Sequence, residues 1–417
     1  MNAGVYLHIP FCRSRCSYCD FATGMHESSI AEAYVHALIS EISNSDDVGA
    51  GLVPARAGQG LPLPQETVDT VYFGGGTPSL LTTGQIETIL EAVRRRFAVT
   101  DDAEITLEIN PGDGSTSAAS KRNDIDPSER LDAALVRPGS RNDFFRELRE
   151  LGINRASFGA QTFDDRELKQ LGRTHSAADV TSTFRQLRDA GFENINFDLI
   201  AGLPGQTLDG WRRNLEQALQ LRPEHLSLYL LDVHEGTPLA DQIKRGMRPK
   251  PDDDLAAEMY STMIETVRAA GYEHYEISNF CLPGFESRHN SKYWSGAPYY
   301  GFGNSAHSYD GQQLRWANER DPAKYAEVIG KNRSPIVERT NLSDDDARSE
   351  SIFLGLRLMR GIDLENYRTR FGKDLRDEYN GELDRLSAAG LIELDDRRLK
   401  LTSRGALLSN EVFAALA

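Results

Sequence analysis

The sequence predicts an α/β fold: a partial, three-quarter TIM-type (β/α)6 barrel followed by a small C-terminal winged-helix-like α+β module. Three observations predict it. Short apolar strands alternate six times with helical patterns of about 10 to 15 residues, which implies parallel strands joined by right-handed crossovers. Glycines and polar side chains collect just beyond those strands, the face on which barrels of this class bind ligands. Near the end of the chain, helical patterns precede two short strands joined by a turn. The expected organisation is a barrel over residues 1–240 with insertions near 48–66 and 112–141, a barrel extension over 241–342, and the module over 343–417.

The first strand is the apolar run Val5 to Ile9, which leads through Pro10 and Phe11 into Cys12, Cys16 and Cys19. Ile30, Tyr34, Leu38 and Ile42 then recur at helical spacing over 28–44, with Ser28 or Ser29 as the expected N-cap. A second strand, Val68 to Phe73, ends in Gly74-Gly75-Gly76-Thr77-Pro78, and a helix follows over about 82–97. Glycines there let backbone N–H groups approach a ligand, although a bare Gly-rich turn is as readily only a turn. The third strand, Glu104 to Ile109, carries Glu108 at its end. After the second insertion come a helix containing Phe145 and Leu148, a strand over 153–159, helices near 164–170 and 176–190, and a strand over 194–200. A helix over 208–221 and a sixth strand over 225–231 complete the six units, which leave an opening in the barrel wall wide enough for a large substrate.

Polar residues at or just past these strand ends include Gln161, Arg173, Asp198 and Asp232. Each alone could be an ordinary loop charge. As a set on one face they suit a charged, hydroxyl-bearing ligand: Arg173 for a carboxylate, Asp198 and Gln161 for ribose hydroxyls or a base. Beyond the barrel, a helix over 254–270 leads to Cys281, which has no cysteine neighbour and is expected to be a buried, inert thiol. His289-Asn290 and Tyr293-Trp294 follow, then a Gly/aromatic stretch from Tyr299 to Tyr309 that includes His307. Histidine among aromatics fits a flat, iron-bearing ligand, and equally a loop held on by aromatic packing.

Three of the four cysteines lie within eight residues, spaced Cys-x3-Cys-x2-Cys. Soft thiolates on one tight loop select zinc, copper(I) or an iron–sulfur cluster. A cubane cluster normally takes four cysteines, so three would leave one iron open to another ligand. Zinc completed by His8 or a distant side chain, or a purely structural role for the thiols, stands beside that reading.

A net charge of −16 disfavours nucleic acid and, beyond peripheral contact, anionic membranes. Residues 1–4 lack the charge and apolar run of a signal peptide, and the clustered cysteines suit a reducing compartment, so the cytoplasm is expected. From residue 343 onward fifteen acidic residues face twelve basic ones, which argues against a DNA-reading role for the module.

The cysteine loop, with Tyr18 before its last cysteine, resembles the signature of the radical S-adenosylmethionine (SAM) superfamily. The longer strings Tyr6 to Cys12 and Tyr18 to Phe21 resemble the oxygen-independent coproporphyrinogen III oxidase-like family in particular. The resemblance implies a [4Fe-4S] cluster on Cys12, Cys16 and Cys19, with SAM on the fourth iron and reductively cleaved to a 5′-deoxyadenosyl radical. It implies SAM contacts from Tyr6, Tyr18, Gly75, Gly76, Thr77, Glu108, Gln161, Arg173, Asp198 and Asp232, and an electron donor such as flavodoxin or ferredoxin. The H-N-x-x-Y-W string resembles the mark of a heme-chaperone subgroup, which makes His289, Asn290, Tyr293 and Trp294 heme candidates. Phe21 points the same way, since the decarboxylating members of the family carry a further cysteine at that position. The resemblance thus implies heme as cargo, an acceptor protein to receive it, and no coproporphyrinogen oxidase activity; oxidative decarboxylation in porphyrin biosynthesis is the alternative.

Overall fold

The computed structural model describes residues 1–44, 66–112 and 141–416. The interiors of both expected insertions lie outside the described residues. In chain order the first strands are β1 (Ala3–Ile9), β2 (Phe11–Cys12), β3 (Gly24–Met25), β4 (Thr67–Gly75), β5 (Ala98–Ile109), β6 (Arg155–Gln161), β7 (Ile195–Ala201) and β8 (His225–Leu230). They are followed by β9 (Glu273–Glu276), β10 (Asn279–Cys281), β11 (Tyr299–Phe302), β12 (His307–Tyr309), β13 (Leu314–Asn318) and β14 (Ile336–Asn341), and in the C-terminal region by β15 (Ile362–Asp363), β16 (Ile392–Leu394) and β17 (Arg398–Leu401).

Twelve strands form one sheet, ordered β14-β13-β12-β11-β1-β4-β5-β6-β7-β8-β10-β9. From β11 to β8 all neighbours are parallel, and at both ends the sheet turns antiparallel. The six expected strands are the contiguous run from β1 to β8, arranged as the open parallel sheet of a partial barrel. β11 is the addition: four residues including Gly301 carry too little periodicity to read as a strand, yet they pair in register with β1, Tyr6 opposite Gly301. A side chain at Gly301 would collide with the His307 carbonyl, so the β11–β12 hairpin needs glycine there.

Alternation along the strands divides their two faces. Val5, Leu7, Val71, Phe73, Leu107, Phe158, Phe197 and Leu228 are buried in one core with the flanking helices. The alternate residues Tyr6, Glu108, Ser157, Asp198 and Tyr229 face a cavity on the inner side. Helix starts follow their caps. Thr82 and Ser176 form capping boxes on Thr83–Arg96 and Ala177–Asp189, satisfying N–H groups that would otherwise lack partners. The helix Ser28–Ser43 departs from expectation: its cap position is Glu27, which makes no side-chain bond, and burial of Tyr34, Leu38 and Ile42 holds the helix instead.

In the C-terminal region, β15, β17 and β16 form a three-stranded antiparallel sheet against the helices Asp344–Arg357, Leu364–Phe371 and Asn380–Ala388. Leu399 and Leu401 join Ile352, Leu356, Leu383 and Val412 in the same apolar core. Helical runs are interrupted at Tyr379, between Leu375–Glu378 and Asn380–Ala388, and at Leu408, between Ser403–Leu407 and Ser409–Leu416. Cys281 is fully buried on β10 opposite His225, and burial pushes its thiol up to about 12, as an inert side chain requires.

Candidate functional site

The cavity at the C-terminal ends of the parallel strands has a volume of about 450 Å³, within the range of small-molecule sites. Cys12 ends the short strand β2, which is fixed by β3: Gly24 N donates to Pro10 O and His26 N to Cys12 O. The turn bearing Cys16 and Cys19 is anchored through Ser17, whose N–H donates to Leu171 O (2.9 Å) and whose carbonyl accepts from Leu239 N (2.8 Å). All three cysteines thus line the cavity. Burial raises the Cys12 and Cys19 thiols above their ordinary range, with Thr77 Oγ1 3.7 Å from Cys12 Sγ opposing the shift at Cys12. Arg173 Nη1 lies 3.3 Å from Cys16 Sγ.

Two carboxyls, Glu108 and Asp198, share the lining. Glu108 Oε1 accepts from the Tyr72 hydroxyl (2.8 Å) and Oε2 from Gly75 N (3.2 Å). Burial raises its carboxyl to about 7, against those two hydrogen bonds. Asp198 is raised as well, again chiefly by burial, while Asn196 Nδ2 donates to its Oδ1 over 2.7 Å. Two carboxylates held in a cavity at a cost to their own ionisation suit a cationic ligand, which would restore both to the charged form. Gly75 has φ of +111°, and a Cβ there would sit 2.7 Å from the His8 ring; at Gly76 it would sit 2.7 Å from Phe11 O. The glycines therefore let strand β4 and the cysteine loop meet. Gln161 ends β6 at φ of +64°, a left-handed conformation rare outside glycine, and it turns into the cavity beside Arg173.

All thirteen residues singled out for cluster and SAM line this one cavity: Cys12, Cys16, Cys19, Tyr6, Tyr18, Gly75, Gly76, Thr77, Glu108, Gln161, Arg173, Asp198 and Asp232. Sequence reasoning missed Asn110, Ser157, Tyr229 and His234, which share the lining. Asn110 was within reach of the strand-end signal that found Glu108, and its Oδ1 accepts from Arg173 Nη2 at 2.6 Å. Nothing in the sequence marks Ser157 or Tyr229 apart from their place on the inner face. His8 does not join the set: its Nε2 lies 3.2 Å from Ala22 O and its Nδ1 3.2 Å from the Tyr6 hydroxyl. Among the described residues no three His, Cys, Asp or Glu side chains converge closely enough for a single metal ion. Three thiols lining one cavity are a donor set of the soft kind that a polynuclear iron–sulfur cluster takes.

The four heme candidates sit elsewhere, on and beside the helix Arg288–Ser295. His289 is 1% exposed; its Nδ1 lies 2.9 Å from Thr70 Oγ1 and its Nε2 2.9 Å from the Tyr293 hydroxyl. Its ring stacks on Tyr72 at 5.2 Å between centroids, and burial lowers its pKa to about 3. Both nitrogens are occupied, so His289 is not presented to an iron. Asn290 belongs to the first turn of the helix, its N–H bonded to the Ser287 cap. Trp294 lines a cavity distinct from the cysteine-lined site.

The profile of the radical SAM superfamily matches residues 6–218, and that of the HemN C-terminal domain matches residues 342–408. The chain is 34% identical to the heme chaperone HemW of Bacillus subtilis (strain 168) over 411 residues, 98% of each chain. It is 35% identical to the heme chaperone HemW of Mycobacterium tuberculosis (strain ATCC 25618 / H37Rv) over 416 residues, 99% of this chain and 94% of that one. It is 33% identical to the mitochondrial radical S-adenosyl methionine domain-containing protein 1 of Mus musculus, covering 100% of this chain and 87% of that one. Among solved structures, the coproporphyrinogen III oxidase HemN of Escherichia coli superposes with a TM-score of 0.77 at 22% identity, over 100% of this chain and 90% of that chain.

Proposed function

Because this chain belongs to the HemW family of the radical SAM superfamily, we propose that it binds heme and hands it to an acceptor protein, with a [4Fe-4S] cluster and SAM held in the cysteine-lined cavity. The observation that carries this reading is similarity to heme chaperones along nearly the whole chain, because the cavity itself would serve any member of the superfamily. Phe21, where a further cysteine would be expected of a decarboxylating enzyme, supports it.

In this reading Cys12, Cys16 and Cys19 hold the cluster, which when bound supplies the electron that cleaves SAM. The protein's own residues bind and orient. Arg173 supplies a fixed cation to a ligand carboxylate while Gly159 O and Asn110 Oδ1 hold its guanidinium at 2.7 and 2.6 Å. Glu108 and Asp198 accept from the ligand's ammonium and hydroxyl groups. Tyr72 and Asn196 keep those carboxylates aimed by donating to them at 2.8 and 2.7 Å. Tyr6, Tyr18, Gly75, Gly76, Thr77, Gln161 and Asp232 complete the SAM contacts. Among the described residues no helix is long and apolar enough to cross a membrane. We read the protein as working in the cytoplasm with a flavodoxin- or ferredoxin-like reductant, without nucleic acid, touching membranes at most peripherally.

The test is to titrate the anaerobically reconstituted protein with heme, and separately to incubate it with coproporphyrinogen III, SAM and a reductant. Saturable heme binding without vinyl product is expected. Vinyl product would install the decarboxylase reading that the HemN-like fold also permits.

A further inference from the structure

A second cavity of about 470 Å³ opens between the edge of the large sheet and the C-terminal helices and strands, apart from the cysteine-lined site. Its lining is mixed, with Trp294, Tyr309, Leu354, Leu358, Ile362 and Tyr367 as the apolar and aromatic part. The indole of Trp294 is fixed by Arg357, whose guanidinium lies 4.3 Å above the ring, and its buried Nε1 has no hydrogen-bond partner.

Four arginines also line this cleft: Arg315, Arg360, Arg370 and Arg398. Its two acids are already engaged. Glu350 pairs with Arg315 at 2.5 Å, and Asp363 accepts from Asn366 N at 3.0 Å as the cap of Leu364–Phe371. Among the described residues Arg360, Arg370 and Arg398 form no ion pair. Arg370 Nη2 donates to the Tyr309 hydroxyl at 3.3 Å, and Arg398 Nη1 to Arg360 O at 3.0 Å. In a chain of net charge −16, four arginines against two acids in one lining make this cleft locally positive. The chemistry they suit is a flat, apolar ring carrying more than one carboxylate, with its face on the aromatic wall and its acids on the guanidinium forks.

We propose that this cleft is the heme site, with the porphyrin face against Trp294 and the two propionates on Arg360, Arg370 and Arg398. The assignment rests on the chaperone reading above and gives that reading a location. It also separates the four residues of the H-N-x-x-Y-W string: His289 and Tyr293 lock the helix to the barrel, and Trp294 is the member that meets cargo.

The experiment titrates heme, and heme dimethyl ester as a probe with both propionates blocked, into the full-length reconstituted protein, followed by Soret absorbance. The variants are Arg370→Glu with Arg398→Glu, and Trp294→Ala. Both arginines are at the surface, and the response of the cluster absorbance to SAM reports whether each variant is folded. The double arginine variant is expected to weaken heme binding by tenfold or more while leaving the ester within about twofold, as loss of charge-assisted contacts predicts. Trp294→Ala is expected to weaken both probes. Wild-type heme affinity in the double variant, with the wild-type protein binding heme normally, overturns the cleft and leaves the chaperone reading standing. A wild-type protein that takes up no heme overturns the chaperone reading itself, and the cleft assignment with it.

Discussion

The Tyr72 hydroxyl donates to Glu108 Oε1 across 2.8 Å, and holds in place a carboxyl whose pKa burial has raised to about 7. The sign of the pH dependence follows. A carboxyl raised in the folded state binds its proton more tightly there than in the unfolded chain, so its contribution to stability is complete below the ordinary value of 4.5 and lost as pH rises to about 7. A bound cation reverses the preference by favouring the ionised form. SAM affinity should therefore rise as pH increases through about 7, and Glu108→Gln should flatten that profile while stabilising the ligand-free protein above it. Calorimetric titration of both proteins across this range checks it; parallel profiles would remove Glu108 from the cation site.

Arg173 joins three elements of the site through Cys16 Sγ, Asn110 Oδ1 and Gly159 O. A charge-assisted hydrogen bond to a ligand carboxylate contributes about 1.5–3 kcal/mol, so Arg173→Ala should weaken SAM binding by roughly one to two orders of magnitude. Arg173→Lys keeps the charge without the fork and should fall between the two. Equal SAM affinity in all three proteins, measured with thermal melting as the folding control, would rule the contact out.

Cys16→Ala should lose cluster iron, sulfide and SAM cleavage together, because no other thiol lines the cavity besides Cys12 and Cys19. Iron and sulfide analysis after anaerobic reconstitution gives the answer. Full cluster content in the variant would mean that the ligand set has been misassigned.

His289 bridges Thr70 and Tyr293 in the buried floor of the barrel. Its removal leaves two hydroxyls unpaired and a cavity behind, so His289→Ala should cost about 2–4 kcal/mol, read by urea denaturation. Where the variant remains folded, its heme affinity should stay close to wild type. A selective loss of heme binding with unchanged stability would return His289 to the role of iron ligand.

How much of this was legible beforehand depended on how local each signal was. Cys12, Cys16 and Cys19 form a site within one loop, so their spacing alone implied shared chemistry. Glu108 and Asp198 were visible as charges in otherwise apolar strands, although Asp198 stands in the middle of β7 and not at its end as expected. Asn110, just past the end of β5, was overlooked for lack of charge. The boundary of β6 lay two residues further on than its pattern suggested, which makes Gln161 the last strand residue, at a positive φ, where a loop position was expected.

The sequence by itself determined the alternation of six strands and helices and the cysteine loop, because periodicity, turn chemistry and ligand spacing are encoded within a few residues of chain. Only the tertiary structure decided that β11 continues the parallel sheet beyond β1, that His289 turns inward while Trp294 faces a cleft, and that arginines from 315 to 398 gather around it. Those relationships join residues far apart in sequence. Packing and the direction of each side chain create them, and no local pattern carries either.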